Sequence, residues 1–251
     1  VTTIALANQK GGVAKTTTVV SLGAALAESG QRVLLVDLDP QSSLTFSLGV
    51  DPEDLDVAVG DVLLGKAAAR DVIVITDDGP DLLPADITLA QAEEQLISRT
   101  GREQRLRAAL DPVAADYDWI LLDCPPALGV LTVGALAAAD EVIIPLQAET
   151  LSHRGVGQLL DTIYDVRRFI NSELIVRGVL PTMYDGRARH ARDVLAAIER
   201  SYDLVVLRPP IPKSVRFAEA PAAGRSILAT AGRHKGAEAY RQVAQGLMAR
   251  G

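Results

Sequence analysis

A short apolar run, Thr3-Ile4-Ala5-Leu6-Ala7, leads straight into Gly11-Gly12, then Lys15, Thr16, Thr17 and Thr18, then a helical segment that stops at Gly30. This order dictates much of the fold. A strand must end, glycines must turn the backbone so that its N–H groups converge, and a helix must begin where they converge. Such a loop holds phosphate. The helix N-terminus adds partial positive charge, the Lys15 ammonium meets the β- and γ-oxygens, and the Thr16 hydroxyl is placed for Mg²⁺. A mere glycine turn beside a surface lysine explains neither the strand before nor the helix after.

The loop departs from the common G-x-x-x-x-G-K-[ST] form. Gln9 stands at the first glycine, Ala14 at the second, and a further lysine, Lys10, precedes Lys15 by five residues. If φ at Ala14 is positive, its Cβ costs about 1–2 kcal/mol. If φ is negative, only a methyl group is added.

Similar apolar runs recur at Arg32 to Val36, Trp119 to Leu122, Glu141 to Leu146, Ile175 to Leu180 and Leu204 to Leu207. Near-continuous Val, Ile and Leu without alternation imply strands buried on both faces, as in a parallel sheet covered by helices. Helix-length segments lie between them: Thr16 to Glu28, Ser152 to Ile170, His190 to Ser201 and Lys235 to Arg250. Aromatics are 4% of the chain, which suits an aliphatic core better than a platform for stacking bases. The expected fold is α/β, a doubly wound, mostly parallel sheet with helices on both faces, of the P-loop NTPase type. No repeat or linker divides the chain, so residues 1–251 read as one P-loop ATPase domain. Residues 51–111 are the least regular, with helices and a short edge hairpin expected near Val72–Leu83.

The second strand ends Val36-Asp37-Leu38-Asp39-Pro40-Gln41, and strand C-termini form the rim where α/β folds place ligands. A carboxylate there serves the ligand or caps the next helix. The run Trp119 to Asp123 puts another acidic group at a buried strand end, suited to hold Mg²⁺ directly or through water. Cys124 beside it reads as packing. As the sole cysteine it excludes an internal disulfide and points to a reducing, cytoplasmic setting. The chain starts at once on a strand-like segment rather than a signal peptide. No apolar stretch nears the roughly 20 residues that span a bilayer.

The formal net charge of −7 is unevenly spread. Residues 177–251 carry 13 Lys and Arg against 6 Asp and Glu, whereas residues 1–176 carry 12 against 26. A basic end suits a polyanion, although charge alone favours a solvated surface.

Lys10 with Lys15, and the segment Asp123-Cys124-Pro125-Pro126-Ala127-Leu128-Gly129 after its apolar strand, resemble the ParA/MinD group of P-loop ATPases, whose Walker A loop is deviant. Val215-Arg216-Phe217-Ala218-Glu219-Ala220-Pro221 and Lys235-Gly236-Ala237-Glu238-Ala239-Tyr240 look like the C-terminal part of chromosomal ParA proteins of the Soj type. The resemblance covers nearly the whole chain. It implies ATP and Mg²⁺ as cofactors, with Lys10, Gly11, Gly12, Val13, Ala14, Lys15, Thr16 and Thr17 on the phosphates. Lys10 would reach the nucleotide of a partner subunit. Lys10, Lys15 and Asp39 are the implied catalytic residues, with Asp39 orienting or activating the attacking water. Thr16, Asp39 and Asp123 would serve the metal, with Asp37 near its shell. Met183, Pro210, Pro212 and Ser214 lie in loops that resemble those holding adenine, although Pro181 and Ser214 differ from the family's commonest residues.

Arg187, Arg189, Arg192, Lys213, Arg216, Arg225, Arg233 and Lys235 are the expected DNA-binding residues. Basic side chains without interleaved aromatics suit phosphate contacts on a duplex rather than sequence reading. In the family, arginines at the positions of Arg187 and Arg216 belong to that face. The resemblance thus implies a homodimer that forms on ATP and binds non-specific double-stranded DNA at the nucleoid. A ParB-type partner would stimulate slow hydrolysis and release. Three alternatives stand beside it. A MinD-like, membrane-associated positioning ATPase needs a stronger anchor than Gln245-Gly246-Leu247-Met248-Ala249-Arg250-Gly251. A redox relative needs paired cysteines for a cluster. A small-molecule ligase or synthetase needs a second substrate pocket, which the sequence does not display.

Overall fold

The computed structural model describes residues 1–149 and 152–249. Arg250, the expected end of the last helix, lies outside them. Each of the five leading apolar runs is a strand, and the edge hairpin supplies two more. In chain order they are β1 (Thr2–Leu6), β2 (Val33–Asp37), β3 (Val74–Ile75), β4 (Asp81–Leu83), β5 (Trp119–Asp123), β6 (Glu141–Gln147) and β7 (Ile175–Thr182). They form one sheet in the order β3-β4-β2-β5-β1-β6-β7. Neighbours are parallel except β3 with β4.

Side chains alternate across each strand, and two cores follow from that alternation. Ala5, Leu34, Val36, Ile120, Leu122, Val142 and Ile144 face one core, closed by helices that include Leu89–Ile97, Val130–Ala138 and Arg189–Tyr202. Ile4, Leu6, Val33, Leu35, Leu121 and Ile143 face the other, under the helices Lys15–Glu28 and Lys235–Met248. The first of these presses close to the sheet at Gly23, where a Cβ would stand 2.6 Å from a methyl of Leu35. Burial on both faces is why the strands read as unbroken aliphatic runs.

Pro145 lies within β6 without breaking a ladder. Pairing with β1 ends at Ile143, so the missing N–H faces a gap beyond the end of β1. There the Asn8 amide donates to the Pro145 carbonyl at 2.7 Å.

The strand expected over Leu204–Leu207 is corrected by the structure. It is reduced to a single bridge, Val206 with Val179. Val179 N donates to Val205 O and Leu207 N to Val179 O, both at 2.8 Å. Pro209 and Pro210 then bring no N–H to extend the ladder, and Val205 is exposed.

From β1 the chain passes to β2 on one side, and β6 lies on the other. That reversal is a topological switch point, and its ligand crevice lies beyond the carboxyl ends of the strands. The residues after Leu6, Asp37, Asp123, Gln147 and Thr182 all emerge on that edge.

Candidate functional site

The phosphate loop is pinned at three places. Asn8 accepts the Lys10 N–H at 3.0 Å, and the Thr182 hydroxyl at the end of β7 donates to the Val13 carbonyl at 3.0 Å. The Lys15 ammonium reaches back to the Lys10 carbonyl at 3.5 Å. Gly12 has φ +72° and Ala14 φ +62°, ψ +36°. The open question about Ala14 is therefore settled on the strained side, since an L-residue here carries the left-handed penalty. Gly11 and Gly12 lie exposed on the molecular surface, whereas Lys15 is buried. Burial holds the Lys15 ammonium below its ordinary pKa, opposed by the nearby Asp123 and Asp39 carboxylates. The Lys10 ammonium pairs with Glu149 beyond β6.

Asp37 and Asp123 sit side by side in the register of β2 and β5. Both are fully buried, yet they have different work. Asp37 accepts from Thr45 N at 2.9 Å, Thr45 Oγ1 at 2.7 Å and Asp39 N at 3.1 Å. Thr45 Oγ1 in turn accepts from Ala85 N at 2.9 Å. This network fastens the short helix Ser43–Ser47 to the sheet beside Asp123. Burial pushes the Asp37 carboxyl up to about 6 despite these bonds.

Asp123 accepts the Thr16 hydroxyl at 2.6 Å through Oδ2, while its Oδ1 is buried without a partner. Burial and the adjacent Asp37 hold its pKa well above the usual carboxylate range. A buried carboxylate oxygen with its lone pairs unengaged, beside a threonine hydroxyl, is a donor set suited to Mg²⁺ or its water. No group of three or more His, Cys, Asp or Glu able to hold a metal occurs among the described residues. Asp39 is half-buried at the mouth of the site, its Oδ1 accepting the Gln41 N–H at 3.0 Å.

Beside the loop lies a cavity of about 730 Å³, lined by Ala14, Thr17, Met183, Ile211, Pro212, Lys213, Ser214, Val215, Phe217, Ala218 and Tyr240. Met183, Pro212 and Ser214 meet there as expected. Pro210 does not, because Ile211 N pairs with the Pro181 carbonyl and Pro210 faces Leu195 and Tyr184 instead. Phe217 and Tyr240 stand edge to face at 5.9 Å. The Tyr240 hydroxyl meets Thr18 Oγ1 at 3.0 Å, which joins the last helix to the phosphate-loop helix.

All eight basic residues expected to meet DNA are exposed. Arg192, Arg233, Lys235 and Lys213 border adjoining concavities that share Tyr184, Pro210 and Pro212. Arg216 pairs with Glu219 at 2.7 Å. Arg225 is set apart. It pairs with Asp78 of the β3–β4 hairpin at 3.3 Å and donates to the Asp77 carbonyl at 3.2 Å.

Sequence reasoning missed Phe217 and Tyr240, which line the cavity, and His234, which lies against Ser214. Tyr240 carried one signal, the sole aromatic of its helix, on the buried face with Ala237, Val243 and Ala244.

An AAA domain family, AAA_31, matches residues 1–176. Sporulation initiation inhibitor protein Soj of Bacillus subtilis is 44% identical over 249 residues, covering 99% of this chain and 98% of that protein. Chromosome partitioning protein ParA of Myxococcus xanthus is 40% identical over 248 residues, covering 98% and 88%. A crystal structure described as cobyrinic acid a,c-diamide synthase from Mycobacterium smegmatis with bound ADP and magnesium is 53% identical with a TM-score of 0.89, covering 98% and 94%. With relatives at this identity covering nearly the whole chain, the chain belongs to the ParA/Soj family of P-loop ATPases.

Proposed function

We propose that this protein is an ATP-dependent partitioning switch. ATP binding closes a sandwich dimer that holds nucleoid DNA without sequence preference. Hydrolysis to ADP and phosphate, stimulated by a ParB-type partner, releases it. The carrying observation is the phosphate loop itself, which lies open at Gly11 and Gly12, with the Lys10 ammonium beside it held by Glu149 of the same subunit. A second subunit is the natural cover for such a surface.

Within each subunit the backbone N–H groups from Gly11 to Thr17 hold the phosphates, and Lys15 meets the β- and γ-oxygens. Thr16 and Asp123 would hold Mg²⁺, which when bound neutralises charge building up on the phosphate oxygens. Asp39 orients or activates the attacking water. The purine base enters the cavity under Met183 and Phe217. Exposed Arg187, Arg189, Arg192, Lys213, Arg216, Arg233 and Lys235 face the DNA phosphates, and two subunits join two modest patches into one stripe.

DNA binding at fixed salt, measured with ATP, ADP and no nucleotide, tests this reading. ATP should be required, Lys10→Ala and Lys15→Ala should abolish binding, and Asp39→Ala should bind yet fail to turn over. Equal binding without nucleotide, or fast hydrolysis by Asp39→Ala, would defeat it.

The synthase name on the 53% identical structure motivates a second reading, ATP-driven amide formation on an acid substrate. Cys124 speaks against a thiol nucleophile within this chain, since burial pushes it far above the ordinary thiol range. Mass spectrometry of cobyrinic acid incubated with the protein, ATP and glutamine or ammonia decides the matter, and an amide product would favour the synthase. A membrane role finds less support. The apolar face of the last helix, Val243, Ala244 and Leu247, is already buried in the core. Among the described residues no helix is long and apolar enough to cross a membrane.

A further inference from the structure

Ser214 lines the base cavity, and its hydroxyl oxygen has two neighbours. The Arg216 N–H donates to it at 3.2 Å, and Nε2 of His234 lies 3.2 Å away. The direction of the second bond is set from the far side of the imidazole. Nδ1 of His234 accepts the Gly236 N–H at 2.9 Å, where His234 caps the helix Lys235–Met248. A nitrogen that accepts carries no proton. The neutral ring therefore keeps its proton on Nε2 and donates it to Ser214. With both lone pairs of Oγ engaged, the Ser214 proton is left to donate into the cavity.

We infer that Ser214 is the donor that reads the purine base of the bound nucleotide, and that His234 is the positioning residue that fixes this polarity. The inference rests on the nucleotide site proposed above. A hydroxyl locked as a donor matches a ring nitrogen with a free lone pair. Around it the walls are apolar: Met183, Ile211, Pro212, Val215 and Phe217. Of the other polar lining residues, Tyr240 is engaged with Thr18, Thr17 belongs to the phosphate loop, and Lys213 is exposed. In an apolar pocket a single placed polar group sets the orientation of the ligand. His234 is held for this task by the ring edge of Phe217, 6.5 Å between centroids.

The test pairs a change in the protein with a change in the ligand. Calorimetry gives the affinities of ATP and of its 1-deaza, 3-deaza and 7-deaza analogues, each lacking one ring-nitrogen acceptor. Wild type should bind one analogue about tenfold more weakly than ATP, the size of one lost hydrogen bond. In Ser214→Ala that gap should close, because ATP itself weakens, and in His234→Ala the gap should shrink. General loosening of the loop weakens ATP and analogue alike and leaves their ratio unmoved. A ratio preserved in either variant overturns the inference, as does a wild type that binds all three analogues as tightly as ATP. A wild type that binds no ATP overturns the nucleotide site itself and this inference with it.

Discussion

The Thr16 hydroxyl donates to Oδ2 of Asp123 at 2.6 Å while Oδ1 of the same carboxylate stays buried and unpaired. An unpaired buried acceptor costs about 1–3 kcal/mol, more when charged. Asp123→Asn keeps the shape and removes the charge. The nucleotide-free variant should melt higher, by about 2–4 °C per kcal/mol gained. Its ATP affinity should lose any dependence on Mg²⁺. An undiminished Mg²⁺ dependence would remove Asp123 from the metal site.

Ala14 sits at φ +62°, so Ala14→Gly relieves a left-handed penalty of about 1–2 kcal/mol. Glycine's greater loss of backbone freedom takes back about 0.5–1 kcal/mol. A net gain of roughly 0.5–1 kcal/mol is expected, read from the urea midpoint at unchanged slope. A destabilised variant would show that the Ala14 methyl makes contacts worth more than its strain.

Asp37 makes stability depend on pH in the direction opposite to a salt-bridged carboxylate. Its folded value of about 6 stands above the ordinary 3.8, chiefly through burial. Between these values the folded state holds a proton that the unfolded state has lost, so stability falls as pH rises through the window. The upper bound on the fall is about 3 kcal/mol. Denaturation of nucleotide-free protein from pH 4 to 7 should show a decline in wild type that is smaller in Asp37→Asn. Equal declines in both would place its source elsewhere, Asp123 being raised in the same direction.

Arg225 and Lys235 are both exposed, but their surroundings predict opposite phenotypes. Lys235→Ala should lower the slope of log DNA affinity against log salt by about 0.9, one phosphate contact. Arg225→Ala should leave the slope alone and lower the melting temperature, since it strips the cation from Asp78, whose side chain is only 3% exposed. A slope change in Arg225→Ala would return that residue to the DNA face.

The sheet was legible because burial on both faces writes itself as aliphatic runs, and the phosphate loop because its chemistry needs contiguous residues. Asp37 and Asp123 were legible as acids at strand ends. What escaped is non-local. Arg225 meets a carboxylate 147 residues away, and nothing beside it in sequence announces that partner. Asp37 and Asp39 look alike in the sequence; only the fold, by laying Thr45 back over β2, shows that Asp37 anchors the next helix. Pro210 and Pro212 differ for a similar reason, as the pairing of Ile211 with Pro181 turns one away from the cavity. Leu204 to Leu207 had the composition of a strand, but the prolines after it left the ladder no donors.

The helix Lys235–Met248 spans about 21 Å at 1.5 Å per residue. Lys235 begins it beside the basic concavity, Tyr240 floors the base cavity in its first half, and Arg241 is tied to Glu28 of the phosphate-loop helix. One rigid rod thus touches the base, the phosphate loop and the polyanion-facing surface together. Any tilt of that rod would therefore be felt at the cavity, at the phosphate-loop helix and at the basic concavity together, with no loop in between.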